Sequence, residues 1–151
     1  MVTYIEEGNI FKLENTSSYA HGCNCAGAMG KGIALQFKER YPFMYLEYKK
    51  LCQDGAFNLG DVYIYKTDNG VIVNLGTQKT WRTKADINAI RNALFKMLSY
   101  ASRNNVRNIA LPKIGAGLGG LNWIDVKEII DETSKEYPDI NLFVVENYKE
   151  S

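Results

Sequence analysis

An α/β fold class, with a mixed, mostly parallel central sheet covered by helices on both faces, is predicted by three observations. Short apolar runs of strand length alternate with amphipathic helical stretches in the order β β α α β β α β α β. Two glycine-rich segments, HGCNCAGAMGKGIALQF from His21 to Phe37 and PKIGAGLGGLNW from Pro112 to Trp123, each link an apolar strand to a helix. No internal repeat, low-complexity tract or linker interrupts the 151 residues, so one domain over residues 1–151 is expected.

Thr3 to Ile5 make a short first strand, and Tyr19 to Cys23 a second that is apolar on both faces, as a buried strand would be. From Lys31 the period turns helical, with Ile33, Ala34 and Phe37 on one face, until Tyr41-Pro42 stops it. A second helix is expected from about Phe43 to Leu51. Asp61 to Lys66 and Val71 to Leu75 read as strands joined at Asp68-Asn69-Gly70, a strong hairpin signal. Lys84 to Arg103 has the clearest helical stripe, through Ile87, Ile90, Leu94, Met97, Leu98 and Ala101. Asn108 to Leu111 reads as strand, Ile124 to Glu136 as helix ended by Pro138, and Ile140 to Val145 as the last strand.

The formal net charge of +1 gives no global pull toward nucleic acid or membrane. No signal peptide and no membrane-length apolar run is present, and three cysteines, an odd number, suit reduced thiols. A cytoplasmic monomer is therefore expected, with no membrane partner and no cofactor. A structural zinc needs four ligands, and three Cys with one His do not make a convincing set, so no metal is expected.

A glycine-rich loop opening a helix leaves backbone N–H groups directed at one spot, which suits phosphate. Two such loops suggest a diphosphate gripped from both sides. In open α/β sheets ligands sit beyond the carboxyl ends of the strands. Both loops, Gly8-Asn9-Ile10 and the tail after Val145 lie there. Gly115 to Gly120 formally matches GxGxxG, but only one helix and one strand follow it, too little chain for a dinucleotide fold. Gly30-Lys31-Gly32 lacks the Ser or Thr of a phosphate-binding ATPase loop.

On these residues the chain resembles the macrodomain family, modules that bind ADP-ribose, over nearly its whole length. Asn24 to Ala34 (NCAGAMGKGIA) is similar to the branch of ADP-ribose-1″-phosphate phosphatases, terminal ADP-ribose protein hydrolases and DNA-ADP-ribose-removing antitoxins. The resemblance implies a three-layer α/β/α macrodomain-like fold. Its small-molecule partner would be ADP-ribose or a derivative, alone or carried by a macromolecule. Gly8, Asn9 and Ile10 would meet adenine, with Asn9 where the family usually has Asp. Asn24 would bond the distal ribose. Met29, Gly30, Lys31, Gly32, Ile33 and Ala34 would line one side of the diphosphate. Thr77, Pro112, Ile114, Gly115, Ala116, Gly117, Leu118 and Gly119 would line the other. Tyr148 is either an aromatic against adenine or a tail residue facing solvent.

Alignment on Thr77 and Trp81-Arg82 puts Gln78 where the hydrolytic relatives carry a Lys, and Gly119 where some carry an Asp. Gln cannot form a covalent lysine intermediate. Lys79 and Arg82 are surface charges or help hold phosphate. The expected catalytic residues are then Asn24 and His21, the latter as general acid–base or, alternatively, as a hydrogen-bonded core histidine. The leading expectation is hydrolysis of ADP-ribose-1″-phosphate. The alternatives are a non-catalytic reader of ADP-ribose and, less favoured, de-ADP-ribosylation of protein or DNA.

Overall fold

The computed structural model describes residues 1–150. The elements are β1 (Val2–Ile5), a short 3₁₀ turn (Ile10–Lys12), β2 (Tyr19–Asn24), α1 (Gly32–Arg40), α2 (Pro42–Gln53), β3 (Val62–Lys66), β4 (Val71–Gln78), α3 (Ile87–Arg103), β5 (Asn108–Pro112), α4 (Trp123–Ser134) and β6 (Asn141–Val145). They occur in the expected order, and the six strands form one sheet in the order β1-β6-β5-β2-β4-β3. Every neighbouring pair is parallel except the β3–β4 hairpin.

Period-two alternation divides the core into two layers. On one face Tyr19 and Cys23 of β2 and Ile72 of β4 pack with Phe37 of α1 and Met44 and Tyr48 of α2. On the other, Ala20, Val73 and Leu75 pack against Leu94, Met97 and Leu98 of α3 and Val126 and Ile130 of α4. The central strands are buried on both faces, whereas β1 and β3 stay half-buried at the edges. That is why β2 and β4 read as continuous apolar runs.

Most element ends move by one or two residues from the sequence reading, and two boundaries move by three. β4 continues three residues past Leu75 to Gln78, because its partner β2 also runs on to Asn24. α3 begins at Ile87 instead of Lys84. Asp86 takes the capping position, with its carboxylate accepting from the Ala89 N–H at 3.0 Å. Its own N–H donates to the Thr77 carbonyl at 2.8 Å, so residues 79–85 are left as a loop at the end of β4. Asp86→Ala should cost about 1 kcal/mol by removing this cap, lowering the thermal midpoint by roughly 3 °C in calorimetry.

Candidate ligand cleft

β2 and β4 end side by side, but the pairing slips there. Cys23 pairs with Gly76 and Asn24 with Gln78, so Thr77 is the extra residue of a bulge. A bulge re-aims the side chains beyond it. Asn24 and Gln78 both line the cleft that opens past the strand ends, whereas Thr77 is buried with its hydroxyl donating to the Cys23 carbonyl at 3.3 Å.

Asn24 organises the first loop. Its Oδ1 accepts from the N–H groups of Ala26 (3.0 Å) and Ala28 (3.2 Å) and from the Tyr48 hydroxyl (3.0 Å). Its Nδ2 donates to the Ala28 carbonyl at 2.8 Å. The acceptor is thus spent within the protein, and one amide N–H is left for a ligand. Asn24, expected to bond the distal ribose, is therefore left to do so as a donor. The loop leads into α1, whose capping position, Lys31, makes no side-chain cap bond. The first-turn N–H groups of α1 have no intrahelical partners, so this end is suited to an anion.

The second loop, between β5 and α4, is braced by Leu121 N–H on the Gly115 carbonyl (2.9 Å) and Ala85 N–H on the Gly119 carbonyl (2.9 Å). Gly115 has φ +72°, and a Cβ there would fall on the Ile90 side chain, so glycine is required twice over. Ala116 turns its N–H toward the Lys113 carbonyl. No loop or cap hydrogen bond among the described residues uses the N–H of Gly30, Lys31, Gly117 or Leu118. The two loops face one another: a Cβ on Gly32 (φ +61°) would stand 3.5 Å from Leu118 Cδ1.

Between them lies a cleft of about 480 Å³, lined by Gly22, Cys23, Asn24, Ala28, Met29, Gly30, Lys31, Ala34, Gln78, Trp81 and Leu118. Of the residues expected from sequence, Asn24, Met29, Gly30, Lys31, Ala34 and Leu118 line it. Gly32, Ile33, Gly115, Ala116, Gly117 and Gly119 belong to the flanking loops and helix end without lining it. Thr77 and Ile114 are buried, and Pro112 closes β5.

Gly8, Asn9, Ile10 and Tyr148 do not line this cleft. Gly8 bridges Tyr148, Ile10 is buried, and the Asn9 amide is already engaged. Its oxygen accepts from Phe11 N–H at 2.9 Å, and its nitrogen donates to the Glu150 carbonyl at 3.1 Å. Tyr148 packs edge-on to Phe11, with its hydroxyl buried and without a hydrogen-bond partner among the described residues. It is half-buried and tied into the fold, not a free tail residue.

Of the two readings of His21, the hydrogen-bonded core histidine holds and the general acid–base is corrected. His21 is fully buried, stacked on Phe37 with centroids 4.1 Å apart, and its Nε2 donates to Asn74 Oδ1 at 2.6 Å. Burial pushes its pKa down to about 4, so the ring is neutral and cannot reach the cleft. Burial also raises the Cys23 thiol and brings Cys25 up to about 11, which leaves no thiolate at neutral pH.

Five lining residues were absent from the expected binding set: Gly22, Cys23, Ala28, Gln78 and Trp81, of which the last two shape the mouth. Gln78 donates both amide hydrogens, to the Thr80 (2.9 Å) and Thr83 (3.1 Å) carbonyls, and so clasps the loop after β4. That loop presents Trp81 at the mouth, 55% exposed. A large apolar residue in a polar strand-to-helix loop was the available signal. Lys79 is exposed and does not line the cleft.

A family model for the Macro domain matches residues 20–130. The DNA ADP-ribosyl glycohydrolase of Mycobacterium tuberculosis is 33% identical over 148 residues, 95% of this chain and 42% of that protein. The chain therefore spans less than half the length of that relative. The human ADP-ribose glycohydrolase OARD1 is 31% identical, covering 95% of this chain and 90% of its own. The ADP-ribose 1″-phosphate phosphatase of Meyerozyma guilliermondii is 26% identical, covering 95% and 98%. Among solved structures, the macrodomain of Mycobacterium tuberculosis DarG superposes with a TM-score of 0.89 at 33% identity, covering 100% of this chain and 99% of that one.

The buried imidazole makes a pH prediction. Its folded pKa is depressed from 6.5 to about 4, so the neutral form is favoured in the folded state. Its contribution is fully present above pH 6.5 and declines as pH falls from there through 4. Urea unfolding at pH 7 and pH 4.5 should therefore show lower stability at the acid value, by about 2–3 kcal/mol from this group. His21→Gln, which keeps a donor toward Asn74 but does not titrate, should flatten that difference.

Proposed function

The chain belongs to the macrodomain family, and from that membership we propose that it binds ADP-ribose in the cleft and hydrolyses ADP-ribose-1″-phosphate to ADP-ribose and inorganic phosphate. The observation that carries this reading is the pair of backbone cradles facing each other, the uncapped start of α1 and the turn at Gly117-Leu118. Free N–H groups on both sides suit the two anionic phosphates of a diphosphate.

The chemistry of the lining supports a reaction that proceeds by positioning. Among the described residues, Cys23 and Lys31 are its only ionisable groups, and Cys23 is held as a thiol. No carboxylate or imidazole lines the cleft, and Gln78 occupies the strand end beside Asn24. A covalent intermediate on a lysine there has no support, which weighs against de-ADP-ribosylation by that route. Phosphate release needs a placed water and donors that hold the departing phosphate, with little covalent participation. Lys31 at the rim offsets its charge. A second reading, a reader that binds without turnover, is favoured by that same absence of a general base.

Calorimetry should detect ADP-ribose binding, and a malachite green assay should detect phosphate released from ADP-ribose-1″-phosphate. Binding without release selects the reader. Gly30→Val puts a side chain into open space in the lining and should weaken ADP-ribose about tenfold or more, with stability changed by under about 0.5 kcal/mol. Turnover surviving in Lys79→Ala, but lost in Asn24→Ala, is the expected pattern. Loss in Lys79→Ala would overturn the positioning mechanism.

A further inference from the structure

We propose that the free edge of β3, with the groove between β3 and α3, takes up an extended acidic segment of a partner protein as a seventh strand of the sheet. This site stands apart from the cleft: β3 is the last strand of the sheet, and no residue lining the groove lines the cleft.

Three observations carry it. The first is an open ladder. β3 pairs with β4 alone. In an antiparallel pair, alternate residues turn both N–H and C=O toward the partner strand. The Asp61 carbonyl accepts from Gly76 N–H at 2.8 Å, and Thr67 N–H donates to the Gly70 carbonyl at 2.9 Å, so the odd positions face β4. Val62, Ile64 and Lys66 then present their N–H and C=O groups outward. No loop hydrogen bond among the described residues uses them. A row of this kind is a template for one more strand.

The second is the groove beside that edge. Side chains alternate along β3, so Val62 and Ile64 turn to the α3 layer, whereas Tyr63 and Tyr65 turn to the other. Val62 and Ile64 floor a groove of about 440 Å³, walled by Phe95, Ser99 and Tyr100 of α3 and by Tyr137. These side chains are only half-buried. A strand added to β3 would lay every second side chain against them, so the ladder supplies affinity and the groove selects sequence.

The third is charge, which decides the occupant. α3 returns from β4 to the parallel β5, so it runs alongside β3 in the same sense. The Lys96–Asp61 ion pair, at 3.2 Å, fixes their register at the start of β3. Arg103, farther along α3, and Lys66, at the end of β3, therefore fall at the opposite end of the groove. Both are exposed, and neither takes part in an ion pair among the described residues. Arg103 Nε donates to the Ser99 carbonyl at 3.2 Å, which leaves its terminal nitrogens available. No carboxylate lines the groove, and α3 carries none; Asp68 lies beyond Lys66 in the hairpin connection. A lysine on an edge strand discourages indiscriminate pairing, and here it favours an acid. A second copy of the chain would bring its own Lys66 to a groove without acids, so neither cation would gain a partner there. An extended segment with apolar residues at alternate positions, followed by a carboxylate that reaches Lys66 and Arg103, satisfies all three observations.

The probes are the peptide Thr-Val-Thr-Val-Thr-Glu-Thr-Glu and its reversed sequence, which cover both strand directions, with Lys-for-Glu counterparts. They are titrated into the whole protein labelled with 15N. One acidic peptide or the other should shift the amide resonances of Val62, Ile64 and Lys66 and slow their hydrogen exchange, with ADP-ribose affinity in calorimetry unchanged. The lysine counterparts should bind about fivefold more weakly. The Lys66→Glu, Arg103→Glu double variant should reverse that preference. Val62→Pro removes one outward N–H at the first position of an edge strand, where proline is tolerated, and should weaken the acidic peptide about fivefold. The proposal is overturned if neither acidic peptide moves these amides, if acidic and lysine peptides bind alike, or if charge reversal leaves the preference as it was. A dimer in sedimentation that protects the same amides would assign the edge to a second copy and overturn it equally.

Discussion

The cleft depends on one buried tether, the Tyr48 hydroxyl donating to Asn24. It lies 2.7 Å from the Asn24 carbonyl and 3.0 Å from its side-chain oxygen, joining α2 to the last residue of β2. Tyr48 is fully buried, and burial raises its phenol well above the ordinary range, so the hydroxyl stays a donor. Asn24 relays that constraint into the loop through Ala26 and Ala28. A loop rich in glycine has high conformational entropy when free, so a fixed cradle needs such ties. Tyr45 adds another by donating to the Gly27 carbonyl at 3.1 Å.

The sheet order makes the two loops neighbours. β2 lies between β5 and β4, so the loops after all three leave the same end of adjacent parallel strands. The link from the post-β4 loop to the second glycine loop is direct, through Ala85 N–H on the Gly119 carbonyl. α3 then fixes the second loop from behind, because Ile90 fills the space where Gly115 has no side chain. Core packing and site geometry are coupled there: a bulkier Gly115 would have to move either the loop or α3.

Much of this was legible in the chain because it follows from periodicity and glycine placement. The element order, the hairpin and the facing loops all rest on patterns of three to eight residues. What escaped the sequence was orientation. His21 sits on a strand whose alternation puts its ring against Phe37, and neighbouring positions on one strand cannot be assigned to cleft or core from composition alone. Thr77 and Gln78 were separated by a bulge, which no local residue pattern announced. Asn9 and Asn24 were read by what an amide can offer a ligand, but the protein's own N–H groups claimed their oxygens first. Both bonds are Asx turns spanning two residues, so this competition for the amide oxygen is local and was within reach of the sequence.

The division between backbone and side chain explains how one fold can keep a ligand and change a reaction. The two cradles are made of N–H groups, whose positions are set by φ and by loop bracing more than by side-chain identity. Diphosphate recognition of that kind survives substitutions that leave the bracing intact. The residues at the strand end and mouth are under different rules. Gln78 satisfies both its hydrogens on the Thr80 and Thr83 carbonyls, a job a neutral planar amide does without placing a charge beside the half-buried strand end. A lysine there would bring a cation, lose the fixed two-pronged geometry and leave the loop to find another tie. Gln78 therefore does two things at once: it withholds a nucleophile from the cleft and holds the Trp81 loop in place. One side chain thus governs both the chemistry available at the strand end and the conformation of the loop at the mouth, whereas the backbone cradles are set elsewhere.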